Sequence, residues 1–148
     1  MEYIVTIRLE ADGRAPGSAE LLHDFGELHP GRRRSPVTAA EITELVDLAE
    51  ADYYTPDPTV EPTLRASRLE ALGQRLYRFL DTGHRLLTGF LADTDGTWDL
   101  VVLAVEHAGP IAHLPWELLH DGREYLVERA DPVVPVRIVG KAVGPRPS

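Results

Sequence analysis

The sequence predicts an α+β fold in which a small mixed sheet is packed by helices. Three segments carry this prediction: an alternating apolar run near 3–9, a helical apolar stripe near 64–82, and a continuous apolar run at 98–106. With 148 residues, of which 43% are hydrophobic and 26% charged, the chain can bury about two-thirds of its unfolded surface. We expect one domain over 1–140 and a disordered tail at 141–148.

The first 60 residues hold most of the excess acidic charge and one clear strand. YIVTIRL, near 3–9, alternates with its apolar residues on one face: Tyr3, Val5, Ile7 and Leu9. Asp12-Gly13 then turns the chain. The stretch 15–36 is polar and rich in Gly and Pro, which predicts a loop with at most one short helix.

Two helices are expected in the middle of the chain. The first, near 38–52, opens with the capping pair Thr38 and Glu41 and ends in the proline-rich YYTPDPTVEP. The second, near 64–82, stops at Gly83 and presents an apolar stripe consisting of Leu69, Leu72, Leu76, Phe79 and Leu80. A shorter helix is expected over 84–91.

The last third of the chain predicts three strands. WDLVVLAVE, at 98–106, is apolar throughout, which favours a strand covered on both faces. Short strands are expected at 124–128 and 133–139. The last contains Pro135, which cannot donate a ladder hydrogen bond and so belongs at a sheet edge or a bulge.

Composition excludes several functional classes. The absence of cysteine rules out disulfides, thiolate zinc sites and a cysteine nucleophile within these residues. A net charge of -9 opposes binding to nucleic acid or to anionic membranes. No run approaches the roughly 20 apolar residues of a membrane-spanning helix, and the acidic first ten residues do not resemble a signal peptide, so we expect a cytoplasmic protein.

No motif in the chain predicts a metal, a cofactor or a catalytic residue. His107, His113 and His120 are spaced unlike any zinc-binding pattern. The DTDG sequence at 93–96 lacks the remaining ligands of a calcium loop, and the three arginines at 32–34 lack interleaved aromatic residues. G-x-S-x-G, P-loop and G-x-G-x-x-G patterns are absent from the sequence.

The segment HLPWELLHDGREYLV, at 113–127, has the most distinctive local pattern. Pro115 suits the first position of a helix, and Glu117 falls at the third, where its carboxylate can bond back to the cap. Asp121-Gly122 ends the segment, which predicts a short helix at 115–120. Because so short a helix is marginal alone, we expect it to pack between the strand at 98–106 and the strands after 123, with Trp116 buried.

The order of the segments DLVVLAVE, LPWELL, Asp-Gly, EYLV and VPVRIVG resembles the early part of the CHAT domain, a family of caspase-like proteases. Upstream, ALGQRLYRFL is similar to the helix that leads into this region of the family. The resemblance covers residues 69–140, with LPWELLHDG as its specific part. Residues 1–60 match no known pattern.

The resemblance implies a non-catalytic module. In CHAT proteins the catalytic histidine and cysteine lie downstream, in the caspase-like core, so no catalytic residue carries over to this chain. What carries over is a packing signature: Leu114, Pro115, Trp116, Glu117, Leu118 and Leu119. The implied role is to support or dock onto a protease core, in cis or in trans, or to bind a TPR protein. The implied setting is bacterial defence or programmed death.

Two other functions remain open from the sequence. A stand-alone binding module or homo-oligomeric adaptor would cover its sheet edge with its own helices or with a second copy. A small hydrolase would have a cleft with convergent titratable groups. The protease-module interpretation instead predicts an exposed apolar patch around the strands at 98–106 and 133–139.

Overall fold

The computed structural model describes residues 2–11, 18–26, 32–94, 98, 100–106, 111 and 114–138, and it confirms the α+β class. The five strands are β1 Glu2–Ala11, β2 Ser18–Asp24, β3 Arg32–Thr38, β4 Leu100–Glu106 and β5 Val133–Ile138. The three helices are α1 Ala39–Ala49, α2 Pro62–Leu80 and α3 Thr82–Asp93. None of the helices in the described part of the chain is long and apolar enough to cross a membrane.

The five strands form one mixed sheet in the order β3-β2-β1-β4-β5. β1 pairs antiparallel with β2, and β2 pairs antiparallel with β3. On its other side β1 pairs parallel with β4, and β4 pairs parallel with β5. β1, the first strand of the chain, is therefore the central strand of the sheet.

All three helices pack on the same face of the sheet, because strand register sorts the side chains into two sets. Val5, Leu103 and their in-register neighbours belong to one hydrophobic cluster with the buried residues of the helices. The cluster residues from the sheet are Val5, Ile7, Leu21, Val37, Val101, Leu103, Val105 and Val133. The alternate residues of the strands lie on the opposite face, which we call the open face.

The segment 15–36, expected to be a loop, contains β2 and β3. The helix-facing positions of these strands include His23 and Ser35, which are buried although they are polar. Arg33 shares this face and remains exposed. Polar residues at inward positions interrupt the alternation of apolar and polar residues by which a strand is predicted. For this reason the sequence pattern predicted a loop.

The helix boundaries differ from the prediction at their ends. Thr38 caps α1 as expected, by accepting a hydrogen bond of 3.1 Å from the Glu41 amide. The helix expected near 38–52 continues as a π-helical turn over Glu50–Tyr54. α2 begins earlier than expected, because Glu61 caps it and Pro62 occupies its first turn. It ends at Leu80, and Asp81 separates it from α3.

The strand expected at 124–128 is wrong. Tyr125 makes only an isolated bridge to His120, and Leu126–Glu128 forms a single 3-10 turn. The Leu126 amide donates to Leu119 O at 2.9 Å, which turns the chain inward and buries Leu126. The segment therefore closes the end of the Trp116 loop instead of adding a strand. The predicted disordered tail at 141–148 lies outside the described residues.

Candidate functional site

The Trp116 segment, residues 114–120, is a buried wedge on the helical side of the sheet. Trp116 has no exposed surface, and its indole N–H donates to Ile111 O at 2.9 Å. Leu114, Pro115 and Leu119 are also buried, whereas Glu117 and Leu118 are partly exposed. The segment contacts α2, β5 and the 3-10 turn at Leu126–Glu128. It thus ties the helical layer to the edge of the sheet.

The short helix expected at 115–120 is only one 3-10 turn, Trp116–Leu118. Pro115 precedes this turn at the cap position, and Leu119 follows with extended backbone angles. Since Leu119 and His120 bond to Leu126 and Tyr125, these two residues cannot continue a helix. The expected bond from Glu117 back to the helix cap is replaced by contacts with distant side chains.

Gly73 of α2 allows the helix to touch the Trp116 segment. A Cβ at this position would lie 1.9 Å from the backbone oxygen of Leu118, so only glycine fits. The His120 amide also donates to Gly73 O, at 3.3 Å. The close backbone contact gives a physical reason for the glycine in ALGQRLYRFL.

Glu117 connects three separate elements through its carboxylate. It accepts hydrogen bonds from the Tyr53 hydroxyl at 2.9 Å and from the Arg137 guanidinium at 2.5 Å. Arg137 also donates to Leu114 O at 2.9 Å. Burial opposes ionisation of Glu117, but hydrogen bonds from its own amide, Tyr53 and Arg137 outweigh this effect and lower its pKa. The charged carboxylate therefore fixes β5 and the π-helical turn to the Trp116 segment.

His120 closes the same loop. Its Nδ1 accepts from the Gly122 amide at 3.0 Å, which places the proton of a neutral ring on Nε2. Nε2 lies 3.1 Å from a carboxylate oxygen of Glu70, and the ring packs edge-on against Tyr125. Both ring nitrogens are occupied by structural partners, so His120 serves to hold the loop on α2.

The open face carries an uncovered apolar half over the three parallel strands. Ile4 is 60% exposed, Val134 37% and Val136 42%. Val102, between them on β4, is partly buried. Over β2 and β3 the same face carries the buried Leu22, and beside it Glu20 and Arg34 form an ion pair across the two strands at 3.5 Å. The strand at 98–106 was expected to be covered on both faces. On the open face of β4, Ala104 is only 3% exposed and Val102 is partly buried, so this expectation holds for most of the strand, although the described helices lie on the other face.

The edge of the sheet at β5 is poorly suited to pairing with another strand. The Val101 amide donates to Pro132 O at 3.0 Å, so alternation along the ladder directs the backbone groups of Val134 and Val136 toward β4. The backbone nitrogen of Pro135 points away from β4, toward the free edge of the sheet. Because this nitrogen carries no hydrogen, the free edge lacks a hydrogen-bond donor there. The expectation that Pro135 marks an edge strand is confirmed.

The sequence did not predict the Tyr53–Glu117–Arg137 contacts. It also did not predict that two polar residues, one on β2 and one on β3, are buried on the helix-facing side of the sheet. A signal for the first was present, because Arg137 interrupts the otherwise apolar VVPVRIV. A charge at a helix-facing strand position requires a partner, and Glu117 supplies it. The partner Tyr53 lies 64 residues away from Glu117, a separation that no local pattern reveals.

Metal ligands do not cluster in the described part of the chain: no three His, Cys, Asp or Glu side chains come together as a metal site there. Of the histidines considered above, His107 and His113 lie outside the described residues. In comparisons with known proteins, no protein-family model matches the chain and no curated protein shows significant similarity to it.

Proposed function

We propose that this chain is the non-catalytic N-terminal module of a CHAT caspase-like protein, and that the apolar half of its open face docks onto the protease core in cis or in trans. The observation that carries the proposal is the uncovered apolar surface formed by Ile4, Val134 and Val136. Contiguous apolar surface of this kind marks interaction sites in soluble proteins. Two of these three residues lie on β5, one of the two strands around which the resemblance predicts that a caspase-like core docks.

The strand arrangement indicates what should cover this surface. Parallel strands are normally buried on both faces, because the crossover helices lie on both sides of the sheet. Here β1, β4 and β5 run parallel, and the helices occupy one face only. The three strands are thus half of a three-layer α/β arrangement, and the partner would supply the second helical layer.

Docking on the face is favoured over addition of a strand at the β5 edge. An added strand would meet the gap at Pro135, which has no amide to donate. The partner would therefore pack side chains against Val134 and Val136 and leave the edge unpaired.

The Trp116 segment has a supporting role in this proposal. It fixes β5 from behind, through Arg137, while its backbone contact with Gly73 anchors it to α2. These contacts would hold β5 in position when a partner packs against the open face. The catalytic cysteine must come from the partner, because this chain contains none. A setting in bacterial defence or programmed death follows from the family resemblance.

The test is co-expression with a caspase-like core encoded in the same or a neighbouring reading frame. We expect the two to form a stable complex, measured by size-exclusion chromatography with light scattering. Val136→Asp would place a charge in the buried interface and weaken the complex at least about tenfold. Val127→Asp is the matched control, because Val127 is 39% exposed but lies on the 3-10 turn at Leu126–Glu128, away from the open face.

The outcomes distinguish the competing functions. A complex that forms equally well with Val136→Asp would contradict docking on the open face. A concentration-dependent dimer of the chain alone, dispersed by Val136→Asp, would identify a homo-oligomeric adaptor instead. Peptide hydrolysis by the purified chain, lost on a single substitution, would show that the chain is itself an enzyme.

A further inference from the structure

A polar groove of about 760 Å³ lies between α3 and the segment 121–131. This volume falls in the range of about 300–1,000 Å³ that is typical of ligand sites. Its walls come from α2, α3 and the loop that follows the Trp116 segment, and among the described residues that line it none belongs to a strand of the open face. A ligand in this groove would thus bind independently of a partner on the open face.

The floor of the groove contains a chain of hydroxyl groups whose direction can be deduced. The Thr88 hydroxyl donates to Asp81 at 2.5 Å, and the Thr88 amide donates to the other carboxylate oxygen at 2.7 Å. Since the Thr88 proton is used, the Tyr77 hydroxyl at 2.7 Å must donate to Thr88. The phenolic oxygen of Tyr77 therefore offers an acceptor to a ligand N–H.

Burial keeps the Tyr77 hydroxyl protonated. Tyr77 is only 7% exposed, and burial raises the pKa of its hydroxyl to about 12. The phenol remains a neutral donor to Thr88 throughout the physiological range of pH. Its acceptor character toward the groove is equally constant.

Two guanidinium groups at the groove have no acidic partner among the described residues. Asp121 accepts from the backbone amides of residues 123 and 124 at 2.9 and 3.0 Å, and Asp131 pairs with Arg129 at 3.3 Å. Within the described part of the chain, the exposed side chains of Arg85 and Arg123 pair with no acid. Asp121 and Glu124 are the acids of the described lining that oppose them, and the Asp121 carboxylate is already hydrogen-bonded to backbone amides.

We propose that the groove binds a short acidic peptide segment of a partner protein. Its carboxylates would bond to Arg85 and Arg123 in the bidentate geometry that guanidinium groups favour, and a main-chain N–H would donate to Tyr77. An acidic peptide offers several carboxylates and a main-chain N–H along one extended chain, which suits a groove of this length better than a single small anion does. The net charge of -9 does not forbid this, because charges farther away than about 8 Å are largely screened at physiological salt.

The test is fluorescence anisotropy with a labelled short poly-glutamate peptide at physiological salt, compared with the same label on poly-glutamine. We expect saturable binding of the glutamate peptide alone. Arg85→Gln and Arg123→Gln should each weaken it about tenfold, as loss of a charge-assisted pair predicts. Glu124→Gln should tighten binding, because it removes the opposing charge. Arg68→Gln is the control, since it makes the same charge change on an exposed residue outside the groove.

Three results would overturn the assignment. Equal binding of the glutamine peptide would exclude carboxylate recognition. An effect of Arg68→Gln as large as that of Arg85→Gln would show that only net charge matters. Displacement of the peptide by millimolar inorganic phosphate would identify a phosphate site instead of a peptide site.

Discussion

Trp116 illustrates how a single residue combines packing with a hydrogen bond that packing demands. An indole placed fully inside a protein requires a partner for its N–H, and here the partner is Ile111 O. The same carbonyl also accepts from the Leu114 amide at 3.2 Å, so the ring and the loop before it are held together. The burial of Trp116 was predictable from its setting among leucines, whereas its acceptor was not.

Trp116→Ala should lower the free energy of unfolding by about 3–5 kcal/mol, because it empties a fully buried site. Trp116→Phe should cost less, since most of the ring volume remains and only the N–H bond is lost. Urea denaturation followed by far-UV circular dichroism measures both changes. Leu64→Ala is the control, because Leu64 is exposed and should change stability by no more than about 0.5 kcal/mol. Equal losses at positions 64 and 116 would contradict the packing role.

At the scale of elements, the sequence predicts well where one physical signal dominates. α1, α2, β1 and β4 each have a clear apolar period, and all four lie close to their predicted places. β2 and β3 were not predicted, because the polar residues His23 and Ser35 occupy inward positions in them. The Trp116 segment was expected to be a helix because its residue types suit a helix start, but bonds to the following loop stop it after one turn.

Gly73→Ala should destabilise the protein through the contact between α2 and the Trp116 segment. The new methyl group would overlap Leu118 O, and backbone must move to relieve the overlap, at a cost of about 1–3 kcal/mol or more. Gly89→Ala on α3 is the matched control. Nothing lies within 4 Å of its added Cβ, so it should gain about 0.5–1 kcal/mol from helix propensity. Thermal unfolding of both variants measures the difference, and the same sign at both positions would contradict the close contact.

At the scale of the whole molecule, the fold is two layers that meet at a few polar contacts as well as at the core. The two-layer arrangement and its exposed side on β4 and β5 follow from strand periods and from the parallel pairing. The sequence anticipated the part of the apolar patch on β5, but not the exposed Ile4 on β1 or the burial of Ala104 on β4. The limits of the patch depend on register, which places Val102 between Ile4 and Val134 and sets Glu20 and Arg34 over β2 and β3.

His23 joins these two layers and makes the stability of the whole fold sensitive to acid. It has no exposed surface, its Nε2 bonds to Leu80 O at 2.7 Å at the end of α2, and its Nδ1 has no partner. Burial lowers its pKa below 6.5, and the bond to Leu80 and the nearby Asp81 carboxylate only partly oppose this.

The unfolded chain therefore binds a proton at a higher pH than the native chain does. The contribution of His23 to stability is complete above pH 6.5 and is lost progressively as the pH falls toward the lowered native pKa. Each unit by which the pKa is lowered corresponds to about 1.4 kcal/mol at full loss. In His23→Gln the amide can still donate to Leu80 O but cannot be protonated, so its melting temperature should fall less between about pH 7 and pH 5. If the melting temperatures of the two proteins fell by the same amount over this pH range, protonation of His23 would not govern acid unfolding.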